Sequence, residues 1–268
     1  RAMLLAYEKG LGRGEHPLFP NIVFKVKDGV NSQPGDPNYD LLELAFRVSS
    51  TRLFPTYSFM DSSFNRIYDD EVAYMGCRTR VISNVNGSEI TEGRGNLSFT
   101  SINMPRVAFE ALRAAGIAPL TAPKGQALTA PPDGQATVSA IDAFFSRLAQ
   151  TLDVARRQLL HRYGIQKNLK VKDFPFLMGQ RLYLDSEGLK PDDPVEKAFR
   201  HGSLSIGFIG LAEALVLLTG RHHAESSESL ELAERIVRHM REFCDRATTE
   251  ENLNFSLLAT PAEGLSGR

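Results

Sequence analysis

Long amphipathic stretches alternate with short apolar runs along this chain, and that alternation leaves few architectures open. From 138 to 163, Ile141, Phe144, Phe145, Leu148, Leu152, Ala155, Leu159 and Leu160 recur on one side of a helix. Residues 21–27 behave differently, with Ile22, Phe24 and Val26 alternating with Val23, Lys25 and Lys27, the period of a strand. Helices are read over 2–9, 41–50 and 106–115, the last led by Pro105, and over 204–219 and 229–246. Strands are read over 53–60, 80–85, 89–91, 97–102 and 254–260. Asn86-Gly87 supplies a type I′ hairpin turn between the third and fourth strands so named. Residues 119–135, rich in Pro, Gly, Thr and Ala, read as a surface loop. No internal repeat is present. Helices and strands interleave throughout, so the pattern predicts an α/β fold with a largely parallel sheet or barrel.

Composition removes several classes of function. With 42% hydrophobic and 24% charged residues the chain is ordinary globular material, not a fibre or a disordered tail. Lys and Arg total 31 against 32 Asp and Glu, so no bulk field draws it to nucleic acid or to an acidic membrane, and any anion must be held locally. The most apolar run, 204–218, is too short to span a bilayer and carries Glu213; it reads as a buried helix. Cys77 and Cys244 are too few for a disulfide framework, no zinc-type Cys/His spacing exists, and a reducing cytoplasm is the simplest home. The chain opens at Arg1 without a Met and closes at Arg268 just after a glycine-rich loop. That predicts one piece of a longer polypeptide, with some of its chemistry carried elsewhere.

Few residues are candidates for chemistry. Cys77 sits beside Gly76 at a predicted loop tip, with Arg78 and Arg80 near enough to favour a thiolate, although a small buried thiol would fit the same spacing. Cys244 shares a helical face with Ile236, Val237, Met240 and Phe243 and reads as core. The six histidines show no metal spacing. His201 stands at what reads as a helix start, where capping by Ser203 accounts for the neighbourhood. Of three glycine-rich loops, at 10–14, 93–96 and 260–267, none is a Walker loop or a GxGxxG. The third is the best phosphate cradle, because it follows an apolar strand and offers backbone N–H groups with the hydroxyls of Thr260 and Ser266.

Six segments together resemble the anaerobic (class III) ribonucleoside-triphosphate reductases. They are Tyr74-Met75-Gly76-Cys77-Arg78-Thr79-Arg80-Val81, the run 93–103 from Gly93-Arg94-Gly95-Asn96, Leu204-Ser205-Ile206-Gly207-Phe208-Ile209-Gly210-Leu211, Ala259-Thr260-Pro261-Ala262-Glu263-Gly264, and the flanking runs 14–20 and 47–52. The resemblance covers nearly the whole chain. It implies a glycyl-radical enzyme whose ten-stranded α/β barrel receives a central finger loop, with 1–268 as the central part of one catalytic barrel domain. Cys77 matches the finger-loop cysteine that becomes a thiyl radical and abstracts the ribose 3′ hydrogen. Met75, Gly76 and Arg78 would shape the finger, and Tyr74, Met75, Phe99 and Ile102 would wall the radical from water. Asn96 matches an asparagine used near the substrate or formate. Thr260, Ala262, Glu263, Gly264 and Ser266 match the loop that receives the substrate phosphates.

The same resemblance implies partners and cofactors. These are a glycyl radical on a residue outside this chain, zinc in a C-terminal part, formate or a thiol as reductant, ATP and dNTP effectors, an S-adenosylmethionine-dependent iron–sulfur activating enzyme, and a homodimer of the full-length subunit. No glycyl-radical motif or zinc segment occurs within 1–268, so the chain alone is expected to be inactive. Two alternatives remain at this point: a noncatalytic nucleotide-binding module, and another glycyl-radical enzyme acting on pyruvate or a diol. The Met-Gly-Cys-Arg run favours the reductase over both.

Overall fold

A computed structural model of the chain describes residues 1–17, 20–52, 54–66, 72, 74, 80, 82–117 and 138–261. Two compact units emerge, 1–82 and 83–268. In the first, α1 (Ala2–Lys9) precedes a β1–α2–β2 crossover of β1 (Val23–Val26), α2 (Tyr39–Arg52) and β2 (Thr56–Phe59), with the two strands parallel and Val23 opposite Thr56. Leu44, Ala45 and Val48 recur at helical spacing on α2 and bury against Leu4 and Tyr7 of α1, while Ile22, Phe24 and Tyr57 close the cluster. The Arg47 guanidinium forks onto the Glu8 carboxylate at 2.6 and 3.0 Å, and Arg52 donates to the Glu8 and Gly14 carbonyls. These two arginines therefore tie α2 to α1 and to the glycine turn that follows it.

The second unit carries a parallel sheet in the order β3-β4-β5: β3 (Asn96–Asn103), β4 (Ser203–Ile209) and β5 (Asn254–Ala259). Between β3 and β4 run α3 (Met104–Ala114), α4 (Val138–Gln166) and the single turn α5 (Glu196–Phe199); between β4 and β5 run α6 (Leu211–Thr219) and α7 (Ser227–Glu251). The stripe read over 138–163 is the buried face of α4: Phe144, Leu148, Leu152 and Leu159 are fully buried. They pack with Met104, Leu204, Ile206, Leu215, Ile236 and Met240 into one core. Each such side chain contributes about 1.5–3 kcal/mol by leaving water. Among the described residues no helix is long and apolar enough to cross a membrane.

Three sequence expectations are corrected. The run 204–218 is not one helix: 203–209 is strand, and Gly210, at φ 78°, turns the chain into α6. A strand with Leu204, Ile206 and Phe208 on one face and only small Ser203, Ser205 and Gly207 on the other merged with the apolar helix after it, which periodicity cannot separate over so short a run. The hairpin at Asn86-Gly87 does not form. Neither residue has the positive φ that a type I′ turn requires, and 82–92 contains no strand. Side chains hold that segment instead, as described below. Finally, Ser203 caps no helix; it opens β4, and His201 before it is buried. The loop read over 119–135 and the finger residues Met75, Gly76, Cys77 and Arg78 lie outside the described residues.

Candidate functional site

The three strands alternate in phase, so the sheet has two different faces. Register pairs Ser98 with Leu204 and Phe255, and Thr100 with Ile206 and Leu257; on that face Leu204, Ile206, Phe255 and Leu257 join the helices in the core. The opposite face is polar. Its rows are Asn96–Ser203–Asn254, then Phe99–Ser205–Ser256, then Ser101–Gly207–Leu258, with Thr260 two residues further on. Ser205 and Ser256 hydrogen-bond across it at 2.8 Å. Phe99 is 55% exposed on this face, whereas Ile102 is buried among the helices on the other. The radical wall expected from Phe99 and Ile102 together therefore fails, because residues three apart on a strand point to opposite sides.

At the N-terminal end of the sheet the polar groups are buried and paired. Asn254 accepts from the Val85 N–H at 2.9 Å, and its amide donates to the carbonyls of Arg200, His201 and Gly202 and to Asn84 Oδ1. Arg94, from the Gly93-Arg94-Gly95 run, is buried and donates to three carbonyls: His201 at 2.8 Å, Ile90 at 2.9 Å and Ser83 at 2.8 Å. Burial lowers its pKa, with Glu89 working in the opposite direction. His201, 3% exposed, meets Asn84 Nδ2 through Nδ1 at 3.1 Å and Asp185 through Nε2 at 3.0 Å. Asn84 Nδ2 also donates to the Ser88 carbonyl and its Oδ1 accepts from Asn86 N–H, so His201 Nδ1 is the acceptor and Nε2–H the donor. That bond, ahead of one from Arg200, holds the Asp185 carboxyl below the usual range. The end works as an anchor, and it is what keeps 83–95 from pairing as a hairpin.

At the C-terminal end the polar groups face solvent. The Thr260 N–H donates to the Phe208 carbonyl at 3.0 Å, carrying the pairing past the end of β5, and the Thr260 hydroxyl lies 2.7 Å from that of Ser101. Two helices begin at this edge. α3 is capped by Asn103, whose side chain accepts from the Arg106 N–H, whereas α6 starts at Gly210 with no side-chain cap. The starts touch: a Cβ on Gly210 would fall 2.6 Å from Pro105 Cδ, so the glycine is required by contact as well as by its φ. Free first-turn N–H groups beside exposed hydroxyls at the carboxyl ends of parallel strands make an anion-receptive arrangement, although Glu213 adds one negative charge to the first turn of α6.

The structure places Asn96, in the row of Asn254, at one end of the polar face and Thr260 at the other, about 20 Å apart along six strand residues. They share a face and do not converge on one point. Ala262, Glu263, Gly264 and Ser266 lie outside the described residues, as Cys77 does. Ser101 and Gly207 were not singled out from sequence as site residues. The signal was present in Ser203-Leu204-Ser205-Ile206-Gly207-Phe208, whose small residues alternate with apolar ones at the strand period. Cys244 is core as expected, and burial pushes its thiol up to about 12. Among the described residues no three His, Cys, Asp or Glu side chains converge to hold a metal ion.

A parallel α/β unit with a polar, hydroxyl-lined sheet face belongs to the class of folds that bind ligands at strand ends, and comparison with known proteins narrows the class. The family of anaerobic ribonucleoside-triphosphate reductases matches residues 1–268. An anaerobic ribonucleoside-triphosphate reductase from Salmonella typhimurium is 33% identical over 268 residues, covering 97% of this chain and 33% of the relative. The chain thus spans about a third of that relative's length. Among solved structures, one titled anaerobic ribonucleotide reductase superposes with a TM-score of 0.55 at 14% identity, over 91% of this chain and 32% of that one. Another, from Thermotoga maritima, gives 0.54 at 14% identity, over 91% and 36%. The chain belongs to the anaerobic ribonucleoside-triphosphate reductase family, and its α/β fold is that of part of those enzymes.

Proposed function

We propose that this chain forms the central part of the catalytic barrel domain of an anaerobic ribonucleoside-triphosphate reductase. The observation that carries the reading is Thr260: the residue matching the family's phosphate-receiving loop stands with its hydroxyl at the carboxyl end of β5, beside an uncapped helix start. Thr260, Ala262, Glu263, Gly264 and Ser266 receive the triphosphate, and the polar face of the sheet leads from there toward Asn96. At Cys77 the sulfur, as a thiyl, takes the 3′ hydrogen of the ribose; an S–H bond forms, a C–H bond breaks, and the unpaired electron passes to C3′. The 2′ hydroxyl then leaves as water after protonation. Asn96 hydrogen-bonds the substrate or formate, and Met75, Gly76 and Arg78 hold the cysteine in place.

A glycyl radical on a residue beyond 1–268 supplies the unpaired electron, and formate or a thiol supplies the reducing electrons. An S-adenosylmethionine-dependent iron–sulfur activating enzyme, ATP and dNTP effectors, a zinc ion in a C-terminal part and a homodimer of the full-length subunit complete the proposal, all in the cytoplasm. The test is anaerobic reduction by the full-length protein with its activating enzyme, wild type against Cys77→Ser, with the glycyl radical followed by electron paramagnetic resonance. The variant is expected to keep the glycyl signal and make no deoxyribonucleotide. Normal turnover by Cys77→Ser would assign the cysteine a structural role and overturn the reading.

A further inference from the structure

β3 and β5 do not touch; β4 runs between them, so their backbones lie about 10 Å apart. Yet Ser101, on β3, and Thr260, just past β5, bring their hydroxyl oxygens within 2.7 Å. The bridge passes over Gly207. A Cβ there would fall 2.3 Å from Thr260 Oγ1 and 2.9 Å from Ser101 Oγ, so a side chain at 207 would have to push both hydroxyls out of the positions in which they meet. Gly207 has no positive φ, so what it supplies is space and not backbone freedom.

The pair also has a direction once an anion is present. A hydroxyl carries one proton and two acceptor lone pairs, and the outer oxygens of a fully ionised phosphate only accept. If Thr260 donates its single proton to phosphate, the bond between the hydroxyls can form only with Ser101 donating to Thr260 Oγ1. The chain then runs Ser101 O–H to Thr260 O–H to phosphate oxygen, and each donor polarises the next. Without Ser101 the Thr260 hydroxyl loses the partner that fixes its rotamer and its proton.

We infer that Ser101 is a positioning residue for the substrate triphosphate, acting through Thr260, and that Gly207 is the gap in β4 that lets the two meet. This rests on the reading of Thr260 as a phosphate-binding residue. Specificity follows from the chemistry: Ser101 serves the phosphates and is indifferent to the base.

The experiment uses full-length reductase with its activating enzyme. Ser101→Ala is expected to raise KM for the ribonucleoside triphosphate up to about tenfold, the effect of losing the one hydroxyl–hydroxyl bond that orients the Thr260 proton, with kcat within about twofold of wild type. Binding of the corresponding nucleoside, which lacks phosphates, should be unchanged, and Ser101→Thr, which keeps the hydroxyl, should restore KM. Thr260→Val should weaken triphosphate binding at least as much, and adding Ser101→Ala to it should change nothing further. A Ser101→Ala effect that persists in the Thr260→Val background, that falls equally on nucleoside and triphosphate, or that Ser101→Thr does not repair overturns the positioning role and leaves Thr260 standing. A Thr260→Val variant with unaltered triphosphate affinity overturns the phosphate reading itself, and the inference with it.

Discussion

At the N-terminal end of the three-stranded sheet, Asn84, Arg94, His201 and Asn254 are buried, and each bonds to at least two partners. At the C-terminal end, Ser101 is exposed and Thr260 half-buried, and their hydroxyls bond to each other. Both ends are polar, so polarity does not separate them; saturation does. A buried donor or acceptor must be paired or it costs about 1–3 kcal/mol, so a polar group in the anchor has little bonding capacity left for a ligand. An exposed hydroxyl pair has spare lone pairs and a proton it can redirect. The sheet thus spends its polar residues on stability where strands begin and keeps them available where strands end, the end at which open α/β sheets take their ligands.

The contrast is broken most directly at Arg94. Arg94→Met would leave the carbonyls of Ser83, Ile90 and His201 without their guanidinium donor. A loss of about 3 kcal/mol follows, equivalent to about a 100-fold fall in amide-exchange protection across 83–95. The C-terminal end should keep its protection. Equal loss at both ends would show that the sheet opens as one unit and that the anchor is not a local device. Unchanged exchange at 83–95 would remove the anchor altogether.

Much of this was legible in the sequence and some was not, for identifiable reasons. Long helices such as α4 and α7 announce themselves, because a stripe of eight apolar residues over 26 positions has no competing explanation. β4 does not, since a strand with one face in the core and the other lined by small serines reads as uniformly apolar when a helix of Leu and Ala follows it. The hairpin error has a different root: Asn86-Gly87 is a turn signal only when the flanking segments pair, and here Arg94 takes the Ser83 carbonyl while Asn254 captures the Val85 N–H from a distance in sequence that no local reading spans. At the candidate site, Thr260 was visible as a hydroxyl after an apolar strand. Ser101 and Gly207 were not, because their meaning lies in a register across three strands.

Cys244 sharpens the closed side of the same distinction. Cys244 is fully buried and its thiol is pushed up to about 12, chiefly by desolvation, from an ordinary value near 9. At pH 8 it holds its proton in the folded chain, so native protein should resist alkylation there, and any label taken up at that pH reports on Cys77. The sign of the linkage is fixed by the upward shift. Below about pH 9 the thiol is neutral both folded and unfolded, whereas between about 9 and about 12 only the unfolded chain ionises, so stability falls as pH rises through that window. Cys244→Ala should flatten the decline, as followed by denaturant midpoint against pH. Rapid labelling of Cys244 in folded protein at pH 8, located by peptide mapping, would contradict its place in the core.

Asn96 is the most demanding case, because its position and its exposure disagree. It stands in the same row as the buried Ser203 and Asn254, at the anchoring end, yet its own side chain is exposed. If membership of that end decided its role, Asn96→Ala would destabilise the unit as removal of the buried, multiply bonded Asn254 side chain is expected to do. Exposure predicts otherwise: no buried partner is stranded, and the cost should be about 0.5 kcal/mol or less, with exchange protection over 83–103 unchanged within about twofold. Its effect should fall instead on turnover by the full-length reductase, lowering kcat while the triphosphate KM set at the Thr260 end stays near wild type. A clear drop in protection with kcat intact would move Asn96 into the anchor and leave the substrate end of the polar face marked by Thr260 and Ser101 alone.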